Sequence, residues 1–126
     1  MRSIAIILVS FLLLVSLSWT SHAYIDSVGA QLNEQAQALE ALLQDEQWER
    51  AEQSLRAFRA YWSAHKGKLT VLLDHQDMND FEAVLVRLES YSQNRAAQFC
   101  LTEAVMLQRW IENLRERERF NLSNIF

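Results

Sequence analysis

The sequence predicts an all-α protein in which an N-terminal membrane helix runs on into an antiparallel bundle of about four helices. Three observations carry that prediction. Among 126 residues there is no proline and there are only two glycines, Gly29 and Gly67, so the frequent turns of a β-sandwich or barrel lack their usual residues. Residues 4–19 form an uncharged, strongly apolar run. Beyond residue 30, apolar residues recur at steps of three and four on a background of alanine, leucine, glutamate, glutamine and arginine, all good helix formers. The length gives room for one domain.

The N-terminal run reads Ile4-Ala-Ile-Ile-Leu-Val-Ser-Phe-Leu-Leu-Leu-Val-Ser-Leu-Ser-Trp19. Arg2 precedes it, and no further Lys or Arg occurs until Arg50, while Asp26 and Glu34 lie on the far side. The positive-inside rule then puts the N-terminus in the cytoplasm and the rest outside. Two readings stand. Ser21-His22-Ala23 is a small-x-small site, as expected of a signal peptide cut after Ala23, which would release a secreted domain. The alternative is an uncleaved signal anchor, with lipid around residues 4–23. Ile4 to Ala23 is about 30 Å of helix, enough to cross the hydrocarbon core, and Trp19 falls where an interfacial indole is favoured. Length and Trp19 favour the anchor. The division expected is therefore 1–24 for the anchor and 25–126 for an extracytoplasmic helical domain.

Helical stripes mark the rest in order. Ile25, Val28, Leu32, Ala36, Leu39 and Leu43 form one face of a helix ending near Gln44, with no breaker but Gly29 between it and the membrane segment. Asp45 is the expected N-cap of the next helix, with Glu46 in its first turn. Its stripe is Trp48, Ala51, Leu55, Phe58, Trp62, His65, Leu69 and Leu72, unbroken through Gly67, so one helix over about 46–74 is expected and a break at Gly67 is the alternative. Asp74 to Asn79 reads as a polar connector, and Asn79 with Glu82 as a capping box. Phe81, Val84, Leu85, Leu88 and Tyr91 mark the third helix, which ends at Ser92-Gln93-Asn94. Ala97, Cys100, Ala104, Leu107, Ile111 and Leu114 mark the fourth, with a terminal segment after Arg119. Trp48, Ala51, Leu55 and Phe58 align with Phe81, Val84, Leu88 and Tyr91 at a period of 33, a weak, repeat-like signal near that of tetratricopeptide hairpins.

Composition excludes some functions. The formal net charge is −4, and residues 1–23 hold one charged side chain, Arg2, so the remainder is more acidic still. Nucleic-acid binding needs clustered cations; Arg115-Glu-Arg-Glu-Arg119 alternates its signs and reads as a solvated helix end. One cysteine, Cys100, cannot form an internal disulfide and sits on an apolar stripe, where it packs as a small hydrophobe. No phosphate loop, Ser/His/Asp set or paired-cysteine motif is present, and no catalytic or cofactor-binding residue is assigned.

The most suggestive cluster is Asp74-His75-Gln76-Asp77, with His65 upstream. His65, Asp74, His75 and Asp77 could ligate a divalent metal in an enzyme or sensor. However, helical ligands stand at i, i+3 or i+4, and His65 to His75 is a step of ten. The structural reading has Asp74, His75, Asp77 and Asn79 satisfying helix ends, with His75 donating to terminal carbonyls and Asp77 and Asn79 accepting from amides. Trp48, Trp62 and Trp110 are candidates for a docking groove but fit core packing at this spacing. Asn124, Ile125 and Phe126 end the chain on apolar residues expected to dock.

These residues carry a resemblance. The apolar N-terminus, Trp48 and Trp62 on one helix, Asp74-His75 with Asp77, then Leu88, Leu107, Ile111 and the Asn124-Ile125-Phe126 ending resemble the short single-pass bacterial proteins of domain of unknown function 4363. The likeness spans nearly the whole chain, though this sequence is richer in arginine and glutamine than the lysine-rich pattern of that family. It implies a membrane-attached helical domain and brings no activity with it. The expected role is a non-enzymatic protein-interaction or structural module at the outer face of the membrane, engaging lipid through residues 4–23 and an unidentified protein, with no cofactor and no nucleic acid.

Overall fold

The computed structural model describes residues 1–125, with side chains through Phe120. Its elements are α1 (Arg2–Gln44), α2 (Trp48–Leu72), α3 (His75–Gln93) and α4 (Ala97–Ile125), with no strand among the described residues. They pack as a ring in which each helix neighbours the next and α4 closes against α1.

α1 is one unbroken helix of 43 residues, about 65 Å at 1.5 Å per residue. Nothing interrupts it, because no proline falls within it and Gly29 is held inside by packing. Its first half is long and apolar enough to cross a bilayer, and that apolar window is unburied. The second half buries Ile25, Val28, Gly29, Leu32, Ala36, Leu39 and Leu43, the stripe read from the sequence plus the glycine. α2 is likewise continuous through Gly67, which is exposed with open space beside its Cα.

Two connections use the same turn. After α1, Glu46 takes a left-handed φ of 53°, its N–H donates to the Leu43 carbonyl (3.1 Å) and that of Gln47 to Leu42 (3.0 Å). After α3, Arg95 takes a φ of 52°, its N–H donates to Ser92 (3.1 Å) and that of Ala96 to Tyr91 (3.0 Å). Both are Schellman motifs, satisfying the last carbonyls of the helix they end. Asp45 therefore closes α1 and does not cap α2; Glu46 lies in the turn, and Gln47 is the N-cap, without a side-chain bond. The turns stand 49 positions apart, and at that offset buried residues fall on buried residues: Leu32 on Phe81, Leu39 on Leu88, Ala51 on Cys100, Phe58 on Leu107 and Trp62 on Ile111. The period of 33 pairs buried Ala51 with Val84 and Leu55 with Leu88, but sets the first residue of α2 against the seventh of α3. The two hairpins, α1–α2 and α3–α4, are the better-matched halves.

The connection from α2 to α3 is tighter than the sequence suggested. Leu73 is extended (φ −114°, ψ 163°) and Asp74 is the N-cap, its Oδ1 accepting from the Gln76 N–H at 3.2 Å. The expected connector over 74–79 and the Asn79–Glu82 capping box are thus corrected: α3 begins at His75, and Asp77 and Asn79 lie inside it. Leu73 turns toward the core while Leu72, the next step of the stripe, is 39% exposed. α4 runs on past Arg119 to Ile125, so the separate terminal segment is also corrected.

The core is continuous and apolar, with Phe58, Trp62, Phe81, Leu85, Leu107 and Ile111 fully buried, and no buried polar or charged residue among those described. Met78, absent from the stripes, joins it at the start of α3.

Candidate functional site

The sequence singled out the Asp-His connector, His65 and three tryptophans; the structure disperses them. Asp74 caps α3. His75 is exposed in the first turn of α3 and so faces amides, not the carbonyls of a helix end expected of it. Asp77 sits in the same turn, where the helix dipole favours a carboxylate, and accepts from Arg117 Nη1 of α4 at 2.9 Å. Asn79 is exposed within the helix. His65 faces the other way: its Nδ1 is 2.8 Å from the Tyr24 hydroxyl of α1, and its ring lies 4.4 Å from that of Tyr61. The proposed metal set is therefore not assembled, and among the described residues no three His, Cys, Asp or Glu side chains are grouped to hold an ion.

Trp62 and Trp110 meet in the core. Trp62 contacts Phe81 at 4.1 Å between ring centroids and Trp110 edge-on at 6.3 Å, and Trp110 also contacts Phe81 at 4.5 Å. Offset and edge-on arrangements suit the ring quadrupoles. Trp48 stands apart, half-buried at the far end of α2, beside a groove shared with Glu52, Arg56, Glu89 and Arg95. Asn124, Ile125 and Phe126 lie outside the residues whose side chains are described.

What the structure does assemble is a polar seam between α2 and α3. Arg59 donates through Nη1 to Glu82 at 2.6 Å and through Nε to Glu89 at 3.1 Å, with Nη2 also on Glu89. Trp62 Nε1 donates to Glu82 at 2.9 Å, and Lys66 Nζ stands 3.8 Å from it. Glu82 and Glu89 are two turns apart on α3, so one guanidinium fork spans both. The Glu89 carboxylate holds the Arg59 guanidinium well above its ordinary range, against partial burial. Burial alone would raise Glu82, but the bonds from Arg59 and Trp62 outweigh it and hold the carboxyl below the usual range. Burial pushes the Cys100 thiol up, which suits an inert core position.

Every strong donor and acceptor in this seam is engaged with another. A base or nucleophile needs a lone pair directed at open space, and here the carboxylates point at Arg59, Trp62 and Lys66. The seam thus reads as an interhelical clamp. Sequence reasoning missed it, although Arg59 flanking the Phe58–Trp62 stripe and the seven-residue step from Glu82 to Glu89 are visible signals.

A family model for a domain of unknown function (DUF4363) matches residues 19–125. The chain belongs to this family. No curated protein and no solved structure matches it. The DUF4363 region begins at Trp19 and takes in the whole bundle, while the apolar residues before Trp19 lie outside the match. The connector residues and both core tryptophans fall within it.

Proposed function

We propose that the chain is a single-pass membrane protein with its N-terminus in the cytoplasm, residues 1–24 serving as an uncleaved anchor and 25–126 as a non-enzymatic interaction or structural module outside the bacterial membrane. The observation that carries this reading is the continuity of α1: an unburied apolar half passes without a break into the half that builds the bundle. An apolar helix face of that length in water is costly, and lipid removes the cost. Retention of the anchor is supported by Ser21-His22-Ala23, which is helical and part of the bundle: His22 Nδ1 is 2.9 Å from Glu118 Oε2. The interaction role draws on Phe99 and Met106, both exposed and two turns apart on one face of α4; neighbouring exposed apolar side chains mark contact surfaces.

The test is fractionation of cells carrying the full chain, with alkaline extraction, intact-mass measurement and protease added to the outer face. The expected result is a full-length chain that stays with the membrane and whose bundle is digested from outside. A soluble product beginning at Tyr24 would overturn the anchor, and protection from external protease would overturn the orientation.

A further inference from the structure

Resting on that anchored reading, the geometry points to a further contact: we infer that the base of the bundle, formed by Lys68, Val71 and Leu72 at the end of α2, is seated in the headgroup region of the bilayer that α1 crosses. The argument starts from the lack of any linker. Trp19 closes the apolar run, and the bundle begins within two turns of it, at His22 with Glu118, Tyr24 with His65 and Asp26 with Arg115 (3.2 Å). A continuous helix cannot fold away at this junction, so whatever lies level with Thr20–Tyr24 lies at the membrane surface.

α2 supplies what lies there. It runs antiparallel to α1, and Lys68 Nζ stands 5.4 Å from the centroid of the Tyr24 ring. Val71 and Leu72 are three and four residues further along, about 4.5–6 Å lower. They line a shallow apolar groove with Thr20, Ser21 and Tyr24. Ile4 to Ala23 is the length needed to cross a hydrocarbon core of about 30 Å, so this groove falls at the core's outer boundary. Val71 is 83% exposed, so its side chain is open to whatever surrounds the base of the bundle. Lys66 and Lys68, the chain's two lysines, bracket Gly67 just above. An ammonium on a flexible stem above apolar side chains is suited to an anionic phosphate, with the stem lying along the acyl boundary. Apolar tip below and cation above is the order in which a bilayer presents its own layers.

The experiment uses the full chain in vesicles of phosphatidylcholine with phosphatidylglycerol. An environment-sensitive fluorophore is placed singly at Val71→Cys, Leu72→Cys, Leu13→Cys in the apolar run, and Gln53→Cys far up α2. Cys100 is fully buried, and circular dichroism confirms that each labelled chain keeps its helix. The expected result is a blue-shifted fluorophore quenched by doxyl-labelled lipid at 13, 71 and 72, with 53 in water. In Lys68→Gln, quenching at 71 falls when phosphatidylglycerol is present and is unchanged without it. A label at 13 in lipid with both 71 and 72 in water overturns the seated base and leaves the anchor standing. Labels at 13 in water overturn the anchor and this contact together.

Discussion

The α1–α4 seam and the α2–α3 seam hold the same bundle by different means. α1 sets two small residues, Gly29 and Ala36, among the leucines of its inner face, with Gly29 so close to α4 that an added Cβ would stand 2.9 Å from Arg115 Cγ. Ala36 and Ala104 are fully buried on these two helices. Their backbones approach closely and their apolar faces cover one another along most of their shared length. Across the other seam the rings of Phe58 and Phe81 stand 6.0 Å apart and those of Trp62 and Phe81 4.1 Å, and Arg59 clasps two carboxylates at the rim. Small residues stabilise through contact area; large rings hold helices apart and leave room for charge. The difference predicts that truncation should dominate in one seam and titration in the other.

Truncating the close seam should have the largest effect. Leu32→Ala and Ile111→Ala remove fully buried side chains, at a cost of about 2–5 kcal/mol each. With roughly 4–8 °C per kcal/mol for a domain of this size, the melting temperature of the full chain in detergent, followed by circular dichroism, should fall by about 10 °C or more. A fall no larger than that of a surface alanine would remove the basis for the comparison.

The clamp should matter less in energy and more in acid. Arg59→Met leaves Glu82 and Glu89 facing each other and should cost about 1–2 kcal/mol, given charge-assisted bonds that are partly exposed. Glu82 is depressed in the folded state, so its contribution is present above its unfolded pKa and lost as pH falls through the folded one. Wild-type stability should therefore decline as the pH falls below the ordinary glutamate range, and Arg59→Met should flatten that decline. Parallel pH profiles for the two proteins would show that the seam is not the acid-sensitive element.

The smallest effects separate the two glycines and the two turns. Gly67→Ala meets open space and should raise stability by up to about 1 kcal/mol. Gly29→Ala makes the same change in propensity but must displace the Arg115 stem, so its melting temperature should fall short of that of Gly67→Ala. Glu46→Gly and Arg95→Gly relieve left-handed backbone and should each stabilise by roughly 1 kcal/mol. An equal rise for both glycine replacements would show that Arg115 yields without cost.

Much of the fold was legible because helical stripes are local. Nearly every buried residue sits on a stripe read from spacing, from Ile25 to Leu114, and α1 runs through Gly29 as expected. The ends were less legible. Asp45 and Asp74 look alike in sequence, yet one closes a helix and the other opens one. Which end an aspartate serves depends on how far burial carries the preceding helix: Leu43 must reach the core, so α1 continues to Gln44 and Asp45 falls behind it. The Schellman turns gave no signal, since glutamate and arginine hold the positions where glycine would have announced them. Leu73 replaces Leu72 in the core because the chain leaves the helix extended at that point. The polar seam depends on the register of two antiparallel helices, which spacing within one helix does not contain. Asp74 could be read as a structural connector residue from its type and place, whereas the partners of His65 and Asp77, on α1 and α4, lie beyond local reach.

The closure of α4 onto α1 also sets an order of assembly. The polar seam joins residues 16 to 30 positions apart, from Lys66 with Glu82 to Arg59 with Glu89. The α1–α4 seam joins Asp26 to Arg115, 89 positions apart, and Glu40 to Gln108, 68 apart. Loop-closure entropy rises with separation, and distant contacts form late. The two hairpins, each with its own tight turn and short-range contacts, are then the early units, and the most extensive interface is the last to form. During synthesis α2 can cover its share of α1 early, but the side of α1 that meets α4, around Asp26 and Gly29, stays uncovered until nearly the entire chain has been made, and in that interval it is open to a chaperone or a neighbouring copy.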